Sequence, residues 1–119
     1  MRHNGNPSIS VSALPPGRVD LRPGLPPTAA CPVCGRWRVL RKRREPEPVR
    51  LEAGAVGLLT PHRGGDGCDR CPGSGQRIVI DLTPLQWAVR LDAAIRDAAT
   101  RHGSDLIYRR TRLRYPSAA

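Results

Sequence analysis

Phenylalanine is absent from this 119-residue chain, methionine occurs once, and tryptophan and tyrosine occur twice each. A chain so poor in large side chains builds only a small core, worth a few kcal/mol at most, roughly what a short scaffold achieves unaided. Acidic residues are also scarce, at 10 against 20 basic ones. Asp66, Asp69 and Asp81 lack a paired spacing suited to acid–base work. No glycine-rich loop leads into a helix in the P-loop pattern, and Gly73-Ser74-Gly75 lacks the strand-turn-helix setting of a nucleophile elbow. The expectation is therefore a protein that is not an enzyme. No window approaches the roughly 18 apolar residues of a membrane span. The first thirty residues hold no apolar segment of the signal-peptide kind. Both absences predict a soluble, cytoplasmic protein with no membrane partner, in a compartment where thiols stay reduced.

Against that background the cysteines stand out. There are four, in two C-x-x-C pairs, Cys31-Pro32-Val33-Cys34 and Cys68-Asp69-Arg70-Cys71, with 33 residues between the pairs. Each pair forms a knuckle that turns two sulfurs toward one ion, and two knuckles complete a tetrahedral site of the structural Zn²⁺ type. Two disulfides or a redox C-x-x-C are the rivals, but the redox motif belongs beside a βαβ pattern that the sequence does not show. The predicted ligands are Cys31, Cys34, Cys68 and Cys71, with His62 as the alternative, paired with Cys31, Cys34 and Cys71. Four thiolates would close the shell, so the zinc is expected to be structural. Apparent zinc-binding free energies on the order of 10–16 kcal/mol exceed what such a core supplies, so the metal should decide folding.

Two resemblances attach to these residues. Cys68-Asp69-Arg70-Cys71-Pro72-Gly73-Ser74-Gly75 resembles one repeat of the cysteine-rich zinc domain of DnaJ-type chaperones, which implies zinc binding. The longer pattern, Cys-Pro-Val-Cys-Gly at 31–35, then His62, then Cys-Pro-Gly-Ser-Gly at 71–75, looks like small zinc-ribbon proteins of unknown function from actinobacteria, their phages and mobile elements. That second resemblance implies His62 and Cys71 as the ligands completing the site, with Cys68 as a departure from the pattern.

The remaining organisation is read from periodicity. Residues 1–28 carry six prolines and few large apolar side chains, which predicts a disordered arm. Arg36–Arg44 reads as a strand with Trp37 and Val39 on one face, and Val49, Leu51 and Ala53 alternate as a half-buried strand. Val56–Leu59 is a further apolar run, and Arg77–Leu82 is a strand with Ile78, Ile80 and Leu82 inward. Thr83-Pro84-Leu85-Gln86 starts a helix: Thr83 caps, Pro84 takes the first position and Gln86 completes a capping box. Trp87, Ala88, Leu91, Ala94, Ile95 and Ala98 share its apolar face, and Gly103 stops it. The expected fold is a small α+β domain over residues 29–103. It comprises a zinc-ribbon-like antiparallel β-sheet and one C-terminal α-helix, 84–102, between the N-terminal arm and a basic tail, 104–119.

Of the basic residues only Lys42 is lysine, a bias that GC-rich coding produces by itself, so position matters more than the formal charge of +10. Arg36, Trp37, Arg38, Arg41, Lys42, Arg43 and Arg44 form one cluster. Arg109, Arg110, Arg112 and Arg114 form another, flanked by Tyr108 and Tyr115. Arginine interleaved with aromatics suits phosphate contacts and base stacking, so DNA or RNA is the expected partner of an accessory or regulatory factor. The alternative is an adaptor that binds another protein through the helix 84–102 face. A DnaJ-like or thiol-redox chaperone role is a distant third.

Overall fold

The structure, a computed structural model, describes residues 2–44, 47–52, 54–64 and 69–102. Cys68, Gly103 and the predicted tail with Arg109, Arg110, Arg112 and Arg114 lie outside the described residues. Among the described residues, six strands form one curled mixed sheet: β1 (Ile9–Ser10), β2 (Val19–Asp20), β3 (Thr28–Ala30), β4 (Trp37–Arg41), β5 (Ala55–Leu59) and β6 (Arg77–Ile80), followed by one helix, α1 (Pro84–His102). Their spatial order is β1-β6-β5-β4-β3-β2. The α+β class and the C-terminal helix stand as expected. The sheet is mixed rather than antiparallel, because β1 runs parallel to β6, with Ile9 opposite Ile78 and Ser10 opposite Val79.

Alternation sorts the strands into two faces. Inward lie Val19, Ala29, Leu40, Leu59, Ile78 and Ile80, each sealed from solvent. Register aligns them across the sheet: Val19 opposite Ala29, Leu40 opposite Leu59. Gly57 belongs to this face because a Cβ there would stand 2.7 Å from the Leu40 Cβ and 3.1 Å from a Val49 methyl.

Val49 thus reaches the core, but not from a strand. The sequence from Val49 to Ala53 alternates correctly, yet its neighbours prevent a ladder. Pro48 makes only an isolated bridge to Arg41, Val49 donates to the Leu40 carbonyl at 2.9 Å, and the chain then turns through Gly54 at φ 81°. A proline with no N–H and a glycine at positive φ convert the alternation into a turn that feeds β5.

The largest departure is at the N-terminus. Residues 2–28 are not an arm: they supply β1, β2, the start of β3 and two 3₁₀ turns, Val11–Ala13 and Pro16–Arg18. Val11, Val19 and Leu21 are core residues. Polar contacts attach this stretch to the C-terminal half. Asn4 N–H donates to the Gly75 carbonyl (3.1 Å), Gln76 Nε2 to the Pro7 carbonyl (2.8 Å) and Ser12 N–H to Asp81 Oδ1 (2.9 Å). The Trp87 indole N–H donates to the Pro16 carbonyl (2.9 Å) and Arg90 to the Ser12 carbonyl (3.0 Å). The Asp81 carboxyl is subject to partial burial, which opposes charge, but Ser12 and Arg90 outweigh that and hold it below the usual range. Composition misleads here because prolines cost little to order: their φ is already fixed in the unfolded chain, so three apolar anchors suffice.

Helix α1 begins as expected. Thr83 N–H donates to Gln86 Oε1 (2.9 Å) and Gln86 N–H to Thr83 Oγ1 (3.1 Å), a reciprocal capping box. Trp87 is 3% exposed, while Leu91, Ile95 and Ala98 are half-buried and Ala88 and Ala94 are exposed. The buried stripe is therefore narrower than the predicted face. No described helix is long and apolar enough to cross a membrane.

Candidate metal centre

The antiparallel run β3-β4-β5-β6 places two loops at the same end of the sheet. The first, residues 31–36, joins β3 to β4; the second, 60–76, joins β5 to β6. Cys31 and Cys34 come from the first loop, His62 and Cys71 from the second. Their ligand atoms all lie within 4.8 Å of one another.

Each loop is shaped by its own backbone. Gly35 N–H donates to the Cys31 carbonyl and Cys31 N–H to the Arg36 carbonyl, both at 2.8 Å, closing a tight turn with Gly35 at φ 77°. Val33 N–H points at Cys31 Sγ, and in the second loop Gly73 N–H points at Cys71 Sγ, each at 3.4 Å. Amide donors aimed at sulfur favour the thiolate form. A Cβ on Gly73 would overlap Cys31 Sγ, so only glycine lets the two loops meet. Gly75, at φ 78°, is equally constrained, since a Cβ there would overlap the Arg2 carbonyl oxygen.

His62 carries the decisive detail. It is 6% exposed, and its backbone is held on two sides. Its N–H donates to Ser74 Oγ (3.1 Å), and its carbonyl accepts from the Ser74 hydroxyl (3.2 Å) and Cys71 N–H (2.8 Å). Nδ1 lies 2.8 Å from the Thr60 carbonyl, which can only accept, so Nδ1 carries the proton. Nε2 is then a bare lone pair, buried and without a hydrogen-bond partner. A second-shell carbonyl fixing the tautomer of a ligating imidazole is the usual arrangement in metal sites. The lone pair needs an electrophile.

The sulfurs agree. Cys31, Cys34 and Cys71 are free thiols, and Cys31 Sγ stands 3.7 Å from Cys71 Sγ. That excludes a bond of about 2.05 Å but matches the edge of a Zn–thiolate tetrahedron, about 3.8 Å for a Zn–S length of about 2.3 Å. Three soft sulfurs and one imidazole make a Cys₃His donor set. These four residues fit a metal ion; the set is the one in which His62 replaces Cys68, and Cys68 itself lies outside the described residues.

No known protein family, curated protein or solved structure matches the chain. Burial raises the Cys34 thiol, but the Arg36 backbone N–H and the neighbouring Cys71 and Cys31 outweigh it and bring the pKa from 9.0 to about 7. Burial pushes Cys71 up, the Gly73 N–H opposes it, and the neighbouring Cys31 and Cys34 sulfurs raise it further. Cys34 is thus ready to ligate at neutral pH, whereas Cys71 gives up its proton when metal displaces it. Metal uptake releases protons, so affinity should fall on acidification. Below about pH 7 the dependence steepens by one proton as Cys34 joins. Zinc competition titrations in buffers of different ionisation enthalpy check this; an affinity flat with pH would contradict thiolate ligation.

The predicted nucleic-acid residues on the first cluster divide between faces. Trp37, Val39 and Arg41 lie on the outer face of β4 and Arg38 on the inner, beside Ala29. Trp37 is 39% exposed. Arg36, Arg43 and Arg44 are exposed, while Arg38, Arg41 and Lys42 are half-buried, Lys42 with Glu47 at 3.7 Å. Register also brings in Arg77, which sequence reasoning did not select. Arg41, Leu58 and Arg77 form one row across β4, β5 and β6 on the outer face. Leu58 is 2% exposed, and both arginine Nε atoms are sealed from solvent, as expected when arginine stems lie over an apolar side chain. Only strand pairing could have revealed that row.

Proposed function

We propose that this chain is a small zinc-stapled protein that binds nucleic acid on the outer face of its sheet. Cys31, Cys34, His62 and Cys71 would hold a structural Zn²⁺, and the buried, unpartnered Nε2 of His62 is the observation that carries this half of the reading. Bound there, the ion would cross-link the β3–β4 and β5–β6 loops. The likeness of residues 31–35, 62 and 71–75 to small zinc-ribbon proteins supports the same four ligands.

The partner is argued from the surface. Trp37 presents an exposed indole on a face that also carries Arg41 and Arg77, with Arg36, Arg43 and Arg44 exposed at either end of β4. Guanidinium groups meet phosphates, and an exposed indole stacks on any base. The adaptor alternative draws less support, because its principal anchor, Trp87, is occupied within the core.

Fluorescence anisotropy with single-stranded and duplex oligonucleotides tests the proposal across a salt series. The combined Arg36→Gln, Arg43→Gln, Arg44→Gln variant should bind more weakly and lose about 0.7–0.9 of log–log salt slope for each phosphate contact removed. Trp37→Ala should weaken single-strand binding by about 1–3 kcal/mol and leave duplex binding nearly unchanged. Wild-type affinity and slope in both variants would overturn the nucleic-acid half and leave the metal half standing.

A further inference from the structure

The same end of the sheet holds a cleft that shares one wall, Cys71 to Ser74, with the candidate metal centre and lies apart from the sheet face. Because β1 is parallel to β6, the residues preceding β1 arrive at the metal end and lie across the second knuckle. The resulting cleft, about 610 Å³, is lined by Arg2, His3 and Asn4 on one side and by Pro61, Arg70, Cys71, Pro72 and Ser74 on the other. Its volume lies within the range that accepts a nucleotide-sized ligand.

We propose that this cleft binds a phosphate monoester. Most polar groups in the lining are already engaged. Ser74 Oγ is committed to the His62 backbone as both donor and acceptor. The Asn4 amide nitrogen donates to the Pro72 carbonyl and to Gln76 Oε1, each at 3.2 Å, and its oxygen accepts from Asn6 N–H at 3.1 Å. His3 Nδ1 accepts from Gly5 N–H at 3.0 Å, so in the neutral ring Nε2 bears the proton and is a donor. Arg2 and Arg70 are exposed guanidiniums, and no carboxylate lines the cleft among the described residues. The charged capacity left over is all cationic or donor, two guanidinium forks and one imidazole N–H, beside a single spare lone pair on each of Asn4 Oδ1 and Ser74 Oγ.

Cationic donors with no carboxylate among them select an anion, and two guanidiniums in one lining match the three terminal oxygens and near-dianionic charge of a phosphate monoester better than a single carboxylate. A zinc ion with three thiolates and a neutral imidazole would carry one net negative charge nearby. Arg2 and Arg70 outweigh it two to one. Two sources supply such a group, a free nucleotide and the terminal phosphate of an oligonucleotide, and the recognition chemistry is the same for both.

The test uses untagged, zinc-loaded protein and three probes: AMP, an oligonucleotide with a 5′-phosphate, and the same oligonucleotide with a 5′-hydroxyl. The expected result is AMP binding that inorganic phosphate displaces, weakened at least about tenfold in Arg2→Gln/Arg70→Gln. Zinc content and circular dichroism should be unchanged in that variant, which separates loss of the cleft from loss of fold. A terminal-phosphate advantage between the two oligonucleotides, lost in the double variant, would assign the source to a nucleic-acid end; AMP binding without that advantage would assign it to a free nucleotide. AMP binding does not require the sheet face, so failure of the nucleic-acid reading leaves this result intact. An AMP affinity absent from wild type, or identical in the double variant, overturns the proposal.

Discussion

His62→Ala should lose stoichiometric zinc and, with it, the folded state, while His62→Cys keeps both. Structural zinc contributes on the order of 10–16 kcal/mol of apparent free energy in small sites, comparable with or greater than the whole stability of a typical domain, about 5–15 kcal/mol. Removing one of four ligands from a chain without phenylalanine leaves too little apolar burial to hold the two loops together. A bland packing role for His62 predicts something else: Ala would cost a fraction of the stability, and Cys would not rescue it. Cobalt substitution adds a readout independent of folding, because the thiolate-to-cobalt charge-transfer band grows with each sulfur. It should be that of three thiolates in wild type and strengthen in His62→Cys. Cys68→Ser completes the set. If Cys68→Ser loses zinc while His62→Ala retains it, the four-cysteine shell of the sequence reading is correct and the Cys₃His set is not.

The second large effect is at a residue with no side chain at all. Gly73→Ala adds one methyl group, and that methyl would overlap the sulfur of Cys31. Gly73 does not occupy the left-handed region, so the substitution costs nothing in backbone strain; the whole effect is steric and falls on a ligand. Zinc affinity should drop by at least the about 10–100-fold typical of a disturbed ligand environment, measurable by competition with a chromophoric chelator. Gly57→Ala is the natural control. Its Cβ would press on the Leu40 Cβ instead, so it should lower the melting temperature while zinc-site spectra stay as in wild type. Equal zinc affinity in Gly73→Ala and wild type would mean that the two loops do not meet as described.

What was legible beforehand follows a physical division. The helix was readable almost to the residue because its cap, its first-turn proline and its Trp87 spacing are all local. β6 was readable because Ile78 and Ile80 alternate with partners that need no knowledge of the rest. The candidate metal centre was legible in part: spacing singled out Cys31, Cys34 and Cys71, and C-x-x-C symmetry favoured Cys68 over His62, whereas the described residues group His62 with those three and leave Cys68 outside. Nothing in the spacing shows that Ser74 and the Cys71 N–H grip the His62 backbone and that Thr60 orients its ring. The N-terminal stretch was misread because its partners are distant. Proline content describes a chain by itself, whereas Val11, Val19 and Leu21 acquire meaning only once β6 and β3 exist to receive them.

The parallel pairing of β1 with β6 also dictates an order of events during synthesis. Residues 4, 12 and 16 find their partners near residues 75, 81 and 87, about seventy positions later in the chain. The two loops that carry Cys31, Cys34, His62 and Cys71, by contrast, are complete once residue 76 has been made. Those four side chains can therefore come together while residues 12 and 16 still wait for their partners, and the sheet is finished at its β1 edge by a segment made much earlier docking last.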